Sequence, residues 1–359
     1  MDKVLTVIIP TYNMENFLRY CLNSLLIKKN FKYLEVLIIN DGSRDASSEI
    51  AHEFEALYPD VFKVIDKENG NYGSCVNVGL KEAHGKYVKV LDADDSFDTD
   101  NFDEFVSFLL GIDSDLILSD FAVVNTEREI KKIIQYQFEE KGVLKLKSIC
   151  RTHVFKSMQM HAVTYLRKNL LTLGYRQTEG ISYTDQEWIF LPMISVETVS
   201  CFNKIVYKYL IGRTGQTVNP EMKQKSMQHV AQCALDMVLY YESHKRDITD
   251  VEIKDYLHCR VIPLIKDVYV FLLTHYGEQS KTSLIAFDAQ LKSLSIEMYK
   301  LIGSKEVSSF MGFQYINYWR RNINIPPFIL RTLSKVYLML LKVKQICRRE
   351  DSMAVPASL

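Results

Sequence analysis

Long apolar runs are missing from this sequence of 359 residues. The longest uninterrupted runs, at 268–273 and 336–341, fall far short of the ~20 residues that a membrane-spanning helix needs. The N-terminal apolar segment 4–9 stops at Pro10, which is too short for the core of a secretory signal, and no small-residue cleavage site follows it. We therefore expect a chain that neither crosses a membrane nor carries an export signal.

Cysteine, glycine and proline are scarce. The seven cysteines are never closer than 26 positions, so no CxxC pair or zinc-ligand spacing exists, and the set indicates reduced thiols in the cytoplasm. With 14 Gly, 8 Pro and 47% apolar residues, large-scale disorder is excluded. The GxGxxG and GxxxxGK[ST] motifs are also missing, which disfavours a dinucleotide fold and a P-loop.

Charge is balanced overall but not along the chain. The 44 basic and 44 acidic side chains cancel, so no field favours a nucleic-acid partner. Residues 1–120 hold 22 acidic and 11 basic side chains, which leaves 22 acidic and 33 basic for 121–359. In one interpretation, the charges simply lie on solvent-exposed faces that differ in sign. In the other, the acidic N-terminal half binds a metal ion and the basic C-terminal half binds an anionic partner.

The N-terminal third alternates β-branched runs with helical periodicity. We predict a first helix from about Glu15, with Asn13 as its N-cap. The alternation predicts an α/β fold with a mostly parallel sheet, whose ligands bind at the carboxyl ends of the strands. The predicted strands are 4–9, 36–39, 61–66 and 87–91.

A helical region follows from about residue 218. Amphipathic stretches at 227–241, 251–275 and 282–302 predict long helices, and Pro263 is expected to kink or split the second. Residues 320–349, the basic tail, hold eight basic side chains and no acidic one. They predict a basic amphipathic helix that either packs on the core or lies on an anionic membrane surface.

The fourth predicted strand ends in three carboxylates, Asp92, Asp94 and Asp95, here called the acidic tip. Like charges this close raise one another's pKa, and a hard divalent cation is the usual way to hold them ionised. Such an ion would also neutralise a diphosphate. The alternative is a helix-capping cluster, in which Asp95 or Ser96 caps the following helix.

The second strand ends at Asp41, within the turn sequence NDGS. Its position next to the carboxyl end of the first strand places this carboxylate near the hydroxyl of Thr11 and the ring of Tyr12. An aromatic face with a carboxylate acceptor suits a nucleoside. The alternative for Asp41 is an ordinary Asx turn.

Four blocks, each at the end of a predicted strand, together resemble the family 2 glycosyltransferases of bacterial cell-surface glycan synthesis. They are TVIIPTYN (6–13), VLIINDGSRD (36–45), ENGNYGS (68–74) and GKYVKVLDADD (85–95). The resemblance implies the GT-A fold over residues 1–217, with a donor half at about 1–118 and an acceptor half at about 119–217. Residues 218–359 form the helical C-terminal region.

The resemblance also implies roles for individual residues. In the donor half, four residues would contact the nucleoside: Pro10, Thr11, Tyr12 and Asp41. Asp92 would contact the ribose, and Asp94 with Asp92 would bind a Mn²⁺ or Mg²⁺ ion. The donor pocket would also be lined by Ala93, Lys67 and Asn77. For Lys67 a solvated surface charge is the competing interpretation.

In the acceptor half the motif YTDQEW (183–188) matches the family's catalytic carboxylate, which makes Asp185 the expected base and Glu187 its rival. An N-terminal helix carboxylate is the alternative role for Asp185. Arg213, in a GRTG sequence, would pair with the diphosphate or lie in a plain surface turn. His153 and His161 are interpreted as satisfied core or cleft histidines.

The expected function is a metal-dependent, inverting transfer of one sugar from a nucleotide-diphospho-sugar, most simply a UDP-sugar, to a glycan or lipid-linked acceptor. The chain lacks the QxxRW signature of processive members. The expected location is the cytoplasm, at the inner face of the plasma membrane if the basic tail binds lipid. Two alternatives remain open: a sugar nucleotidyltransferase, and a catalytically silent glycosyltransferase-like binding or scaffold subunit.

Overall fold

The computed structural model describes residues 2–138, 142–213, 226–275, 277–310 and 312–324, with positions 332, 335, 336 and 339. The chain divides into two compact units. The first comprises residues 1–233 and 243–260, and the second comprises 234–242 and the residues from 261 onward. The boundary predicted at 217 and most of the basic tail lie outside the described residues.

The first unit is built on one ten-stranded sheet with the spatial order β3-β2-β1-β4-β9-β6-β10-β5, where β7 pairs with β6 and β8 with β10. The strands are β1 Leu5–Thr11, β2 Leu34–Asn40, β3 Phe62–Asp66, β4 Tyr87–Val90, β5 Ser96–Phe97, β6 Leu116–Val124, β7 Ile130–Ile134, β8 Leu144–Lys145, β9 Val163–Leu166 and β10 Thr198–Leu210.

The long ladders of this sheet are parallel. Strands β3, β2, β1 and β4 pair parallel in that order, and so do β6 and β10. Short antiparallel ladders on β9 join the two groups. The core of β1 is completely buried at Leu5, Val7, Ile8 and Ile9, as expected of a strand that is covered on both faces. The predicted α/β class with a mostly parallel sheet is therefore confirmed.

Helices of four to twelve residues cover this sheet. They are α1 Glu15–Asn23, α2 Ser47–Leu57, α3 Asn71–Glu82, α4 Thr99–Leu110, α5 Leu146–Ile149, α6 His153–Lys156, α7 Arg167–Leu173 and α8 Asp185–Trp188. The helix α3 packs closely on β1, because a Cβ added to Gly79 would lie 2.5 Å from the Ile8 side chain. This contact fixes the helix that follows the predicted donor-pocket loop.

The predicted N-cap of α1 is wrong. Asn13 has a positive φ of 53°, and its side-chain oxygen accepts from Arg44 N at 2.8 Å instead of capping the helix. Met14 occupies the cap position, and its amide donates to Ser47 Oγ at 2.7 Å. The α1 terminus is therefore satisfied by a side chain from α2, a long-range partner that local sequence does not reveal.

The alternative in which Asp95 or Ser96 caps the helix after the acidic tip is contradicted by the structure. Helix α4 begins after Asp98, whose Oδ1 accepts from Asn101 N at 3.2 Å. A carboxylate is available at this position because Asp98 lies outside the sheet edge, whereas Asp95 and Ser96 are buried. The carboxylates of the acidic tip are therefore left for another role.

The C-terminal part of the described chain is helical, as predicted. The helices are α9 Met227–His244, α10 Val251–Thr274, α11 Glu278–Leu294, α12 Ile296–Ile302 and α13 Tyr315–Arg321, with a hairpin of β11 Ser309–Phe310 and β12 Phe313–Gln314.

Pro263 lies inside one continuous helix, which excludes the expected split and leaves the expected kink as a prediction. One helix boundary differs from the prediction. The single helix expected at 282–302 is divided at Ser295, which is extended and whose Oγ accepts from Met298 N at 3.1 Å as the cap of α12. Among the helices that the structure describes, none is both long and apolar enough to span a bilayer.

Candidate active site

The carboxyl ends of β1, β2 and β4 meet at one edge of the sheet and position the candidate site. The amide of Asp41, after β2, donates to Thr11 O at 2.8 Å, and the amide of Leu91, after β4, donates to Ile8 O at 2.9 Å. The parallel register thereby aligns the three strand ends, as expected for a ligand site in an α/β sheet. Of the first-strand residues, Thr11 is buried, Pro10 is half-buried and Tyr12 presents an exposed ring.

Asp41 is held by a buried ion pair. Its Oδ1 accepts from Lys67 Nζ at 2.6 Å and from Gly70 N at 2.9 Å, and the carboxylate is 3% exposed. Lys67 also donates to Ser74 Oγ at 2.9 Å. Lys67 is therefore not a solvated surface charge, because its ammonium links the β2 end to the start of α3. The pair therefore holds the Asp41 carboxylate in one orientation at the end of β2.

Asp92, in the acidic tip, is held by two tyrosine hydroxyls. Its Oδ1 accepts from Tyr72 OH at 2.9 Å, and its amide donates to Tyr207 OH at 3.1 Å. Burial is the main cause that raises the pKa of Asp92 to about 7, and the charge of Asp94 adds to it. A nearby cation would stabilise the ionised form of a carboxyl group in this environment.

Asp94 is the carboxylate of the tip that faces the basic side chains of the acceptor half. Its Oδ2 accepts from Arg213 Nε, and its backbone carbonyl accepts from Arg128 Nη1 at 3.3 Å. Arg213 also lies over the ring of Phe17, 5.6 Å from its centroid. Ala93, between the two aspartates, is buried. Arg213 is therefore brought to the acidic tip and does not lie in a plain surface turn.

Asp95 is completely buried at the inner end of the tip. Its two oxygens accept from Tyr207 OH at 2.6 Å and from Leu210 N at 2.7 Å. Burial is the main cause that raises the pKa of Asp95 well above its usual value, and Asp94 and Asp92 raise it further. The carboxylate joins the tip to the end of β10, a role that the sequence did not indicate.

His161 completes a set of metal-type donors. The ligand atoms of Asp92, Asp95 and His161 lie within 4.8 Å of one another. His161 is 7% exposed, and its Nδ1 has no hydrogen-bond partner, so the expectation of a satisfied histidine is wrong. His153 is an exposed residue of α6. Two carboxylates and an imidazole are suitable ligands for a divalent cation, so these residues fit a metal, although the set contains Asp95 and His161 and not Asp94, which the resemblance implies as a ligand.

Asp185, the expected base, lies at the start of α8. Its Oδ2 accepts from Gln186 Nε2 at 2.9 Å, and burial raises its pKa to about 6. The negative charge of Asp185 also raises the pKa of Asp92 and of Tyr72. A carboxylate with a pKa near 6 is ionised at neutral pH yet basic enough to accept a proton.

Glu187, the rival base, is built into the core. It is 1% exposed, and its Oε2 accepts from Thr178 N at 2.8 Å. The loop that contains Thr178 is also held by the side chain of Asn77. Its Nδ2 donates to Gln177 O at 2.9 Å, and its Oδ1 accepts from Gln177 N at 2.8 Å. Asn77 thus fastens helix α3 to the loop that leads to Asp185.

Several site residues were not identified from the sequence as functional. They are Tyr72, Lys89, Asp95, Arg128, His161 and Tyr207. Only Lys89 gave a local signal, because a lysine within an apolar strand must bury its ammonium. Its Nζ donates to His161 O at 2.8 Å and to Val163 O at 3.2 Å, and burial lowers its pKa to about 7.

Comparisons with known proteins identify the family of this chain. The family model Glycosyl transferase family 2 matches residues 6–190, which is more than half of the chain. Glycosyltransferase GlyA of Streptococcus pneumoniae is 34% identical over 125 residues, covering 35% of this chain and 18% of GlyA. The chain spans less than half the length of the first curated relatives that it matches.

Two solved structures share the fold. The crystal structure of S. aureus TarS 1–349 in complex with UDP-GlcNAc has a TM-score of 0.69 at 19% identity, covering 94% of this chain and 92% of that chain. Mannosyltransferase PcManGT from Pyrobaculum calidifontis, in complex with GDP-Man and Mn²⁺, has a TM-score of 0.50 at 15% identity, covering 96% of this chain and 88% of that chain. The chain therefore belongs to glycosyl transferase family 2, and its sheet with the acidic tip after β4 has the GT-A fold.

Proposed function

We propose that this chain transfers one sugar, with inversion, from a UDP-sugar to a hydroxyl of a glycan or lipid-linked acceptor. The observation that supports the proposal is the acidic tip of the donor half, where Asp92 accepts from Tyr72 OH and where the negative charge of Asp185, a carboxylate of the acceptor half, also acts on Asp92. A transferase needs both groups at one site, because the diphosphate leaves the anomeric carbon while the acceptor oxygen loses its proton and attacks that carbon.

The donor's nucleoside occupies the edge between β1 and β2. The exposed ring of Tyr12 stacks on the base, and the carboxylate of Asp41, oriented by Lys67, accepts from a base or ribose donor group. Uridine is the preferred nucleoside because the TarS complexes, at the highest structural similarity reported above, contain UDP-GlcNAc. Thr11 and Pro10 form the floor of this edge.

A divalent cation, Mn²⁺ or Mg²⁺, would be held by Asp92 and Asp94 of the acidic tip. When bound, it would neutralise the charge that develops on the departing diphosphate. Arg213 is the protein's own cation at this position, and its guanidinium pairs with phosphate oxygens bidentately once it leaves Asp94. Tyr72 orients Asp92 through its hydroxyl.

Asp185 is the proposed base. It takes the proton of the acceptor hydroxyl as that oxygen attacks the anomeric carbon from the face opposite the diphosphate, and a single displacement inverts the configuration. Glu187 is not proposed, because Thr178 N and its burial fix it in the core. We place the reaction in the cytoplasm, with the basic tail as the segment that would approach an anionic membrane carrying a lipid-linked acceptor.

The test is a release assay across nucleotide sugars, with an acceptor extract, in the presence and absence of Mn²⁺. Glycosyl transfer releases UDP from one UDP-sugar, whereas a nucleotidyltransferase releases no UDP. The Asp185→Asn variant should bind UDP like the wild type and release less than about 1% as much. Absence of UDP release from every nucleotide sugar would support a silent binding subunit and overturn the proposal.

A further inference from the structure

A groove lies at the amino ends of β2 and β3. It has a volume of about 450 Å³ and is formed by the segment that leads into β2 and by the segment that joins α2 to β3. The candidate active site lies at the opposite, carboxyl edge of the sheet. The seven residues of β2, at about 3.3 Å each, separate the two edges by roughly 20 Å. The groove is therefore distinct from the donor site.

Three lysines, here called the basic rim, line this groove: Lys28, Lys29 and Lys32. All three are exposed, and none forms an ion pair with any acidic side chain that the structure describes. Asp60 adds one negative charge, so the lining has a net charge of +2 (three lysines against one aspartate). Residues 1–120 as a whole hold 22 acidic against 11 basic side chains. The groove is thus a positive site within an acidic half, which suits an anionic ligand.

Helix α4 fixes the segment that carries the basic rim. Three successive backbone amides, of residues 28–30, donate to the carboxylate of Asp103 at 3.1, 2.9 and 3.1 Å. Asn30 is 7% exposed, and its Nδ2 donates to Ser107 Oγ at 2.6 Å. Because the backbone is already held in this way, a ligand would bind the rim without the entropy cost of ordering a loop.

The floor of the groove is apolar. The rings of Phe31 and Tyr58 meet edge to face with centroids 5.5 Å apart, and both side chains are half-buried. Leu57, at the end of α2, is 68% exposed. The apolar face of a sugar ring would cover this surface, whereas a phosphate ion alone would leave it in water. A flat bilayer does not enter a concave groove, so the shape favours a single chain as the ligand.

We propose that this groove binds an acidic glycan, with its anionic groups on the basic rim and its sugar rings on the apolar floor. This inference rests on the proposed function, and it describes the acceptor as a chain that carries negative charge away from its reacting hydroxyl. A chain long enough to span the roughly 20 Å between the groove and the active site would be held at both, which raises the effective concentration of its reacting end.

The test compares two variants of the full chain with the same change in charge. The rim variant carries Lys28→Gln, Lys29→Gln and Lys32→Gln. The control variant carries Lys63→Gln, Lys81→Gln and Lys131→Gln, at exposed lysines elsewhere. Calorimetry measures binding of dextran sulfate, with neutral dextran of the same length as the uncharged probe. We expect the rim variant to bind dextran sulfate at least about tenfold more weakly than the control variant, because three exposed charge contacts are lost.

Three further measurements complete the test. Wild type and rim variant should bind UDP equally, because the groove is separate from the donor site. Neutral dextran should bind far more weakly than dextran sulfate, and equal binding would overturn the role of charge. Leu57→Ser should weaken binding of dextran sulfate but not of polyphosphate, which has no sugar ring to cover the apolar floor. Dextran sulfate binding that Leu57→Ser leaves unchanged would overturn the glycan assignment.

Other outcomes separate this inference from its alternatives. If the basic rim is needed for binding to vesicles of phosphatidylserine and phosphatidylcholine but not to dextran sulfate, the groove belongs to a membrane-docking face and the inference is overturned. Equal binding of dextran sulfate by the rim and control variants would also overturn it. Neither result affects the proposed function, which the release of UDP from a UDP-sugar tests independently.

Discussion

The guanidinium of Arg213 pairs with the carboxylate of Asp94, and this pair joins the end of β10 to the acidic tip after β4. The two side chains are 17% and 10% exposed, so the pair is largely shielded from water. Asp94 therefore has a cation partner within the protein, and a metal ion bound as we propose would compete with Arg213 for the same carboxylate. A diphosphate would resolve this competition because it attracts both cations.

The first prediction follows from this competition. In Arg213→Gln we expect Mn²⁺ to bind more tightly without nucleotide, because Asp94 has lost its partner, while kcat falls by about 100-fold because a phosphate-binding cation is missing. Calorimetry and a UDP-release assay measure the two effects. Arg19→Gln is the control, because it removes an exposed arginine that pairs with Glu53. It should change neither Mn²⁺ binding nor kcat. Unchanged Mn²⁺ binding in Arg213→Gln would contradict the competition.

The second prediction concerns the pH dependence of the reaction. With a pKa of about 6, Asp185 is protonated below that pH and unable to accept a proton, so kcat/KM should fall tenfold per pH unit below pH 6. Asp185→Asn should lose most of its activity, and its remaining kcat/KM should no longer fall below pH 6. Glu187→Gln, at the rival carboxylate, should keep the midpoint near pH 6; a midpoint that disappears in Glu187→Gln alone would reverse the assignment.

The third prediction concerns the stability cost of the same carboxylate. Folding raises the pKa of Asp185 from 3.8 to about 6, so the protonated carboxyl group contributes to the free energy of unfolding. This contribution is fully present below pH 4 and is lost as the pH rises through 6. An asparagine in Asp185→Asn does not ionise, so the variant does not lose this stability. The variant should therefore melt at a higher temperature than the wild type at pH 7, and the difference should vanish at pH 4. Equal melting temperatures at pH 7 would show that the carboxylate is not destabilised by folding.

The fourth prediction concerns the buried pair of Lys67 and Asp41. Lys67→Met leaves the Asp41 carboxylate buried without its cation, and the free energy of unfolding should fall by roughly 3 kcal/mol, with weaker UDP binding. Lys63→Met is the matched control, because Lys63 pairs with Glu82 at 3.5 Å on an exposed surface and should change stability by less than about 0.5 kcal/mol. Denaturant unfolding and UDP titration measure both quantities.

The fifth prediction concerns the contact between α3 and the loop that leads to Asp185. A Cβ added to Gly73 would lie 2.0 Å from Thr178 O, and Asn77 bonds to both backbone groups of Gln177. Gly73→Ala and Asn77→Ala should therefore lower kcat by displacing Asp185, and Asn77→Ala should lose about 1–3 kcal/mol of stability. Donor KM should change little. A raised KM with normal stability would instead make Asn77 a direct donor contact.

Much of the donor half was predictable because its signals are local. The buried strand β1 and the turn at Asp41 follow from short stretches of sequence, and the parallel order places their carboxyl ends together. One error lies where a distant residue replaced a local one. Asn13 was expected to cap α1, but Ser47 of α2 satisfies that terminus.

Sequence alone determined the α/β architecture and the acidic tip, because both depend on periodicity or on neighbouring residues, and the resemblance to the family indicated the motif that contains Asp185. Tertiary structure alone decided what those groups touch. The pairing of Asp94 with Arg213, the core position of Glu187 and the approach of His161 to Asp92 join residues far apart in the chain. The physical reason is that the burial and charge of a side chain are set by whichever strands the fold brings beside it, and no single segment carries that information.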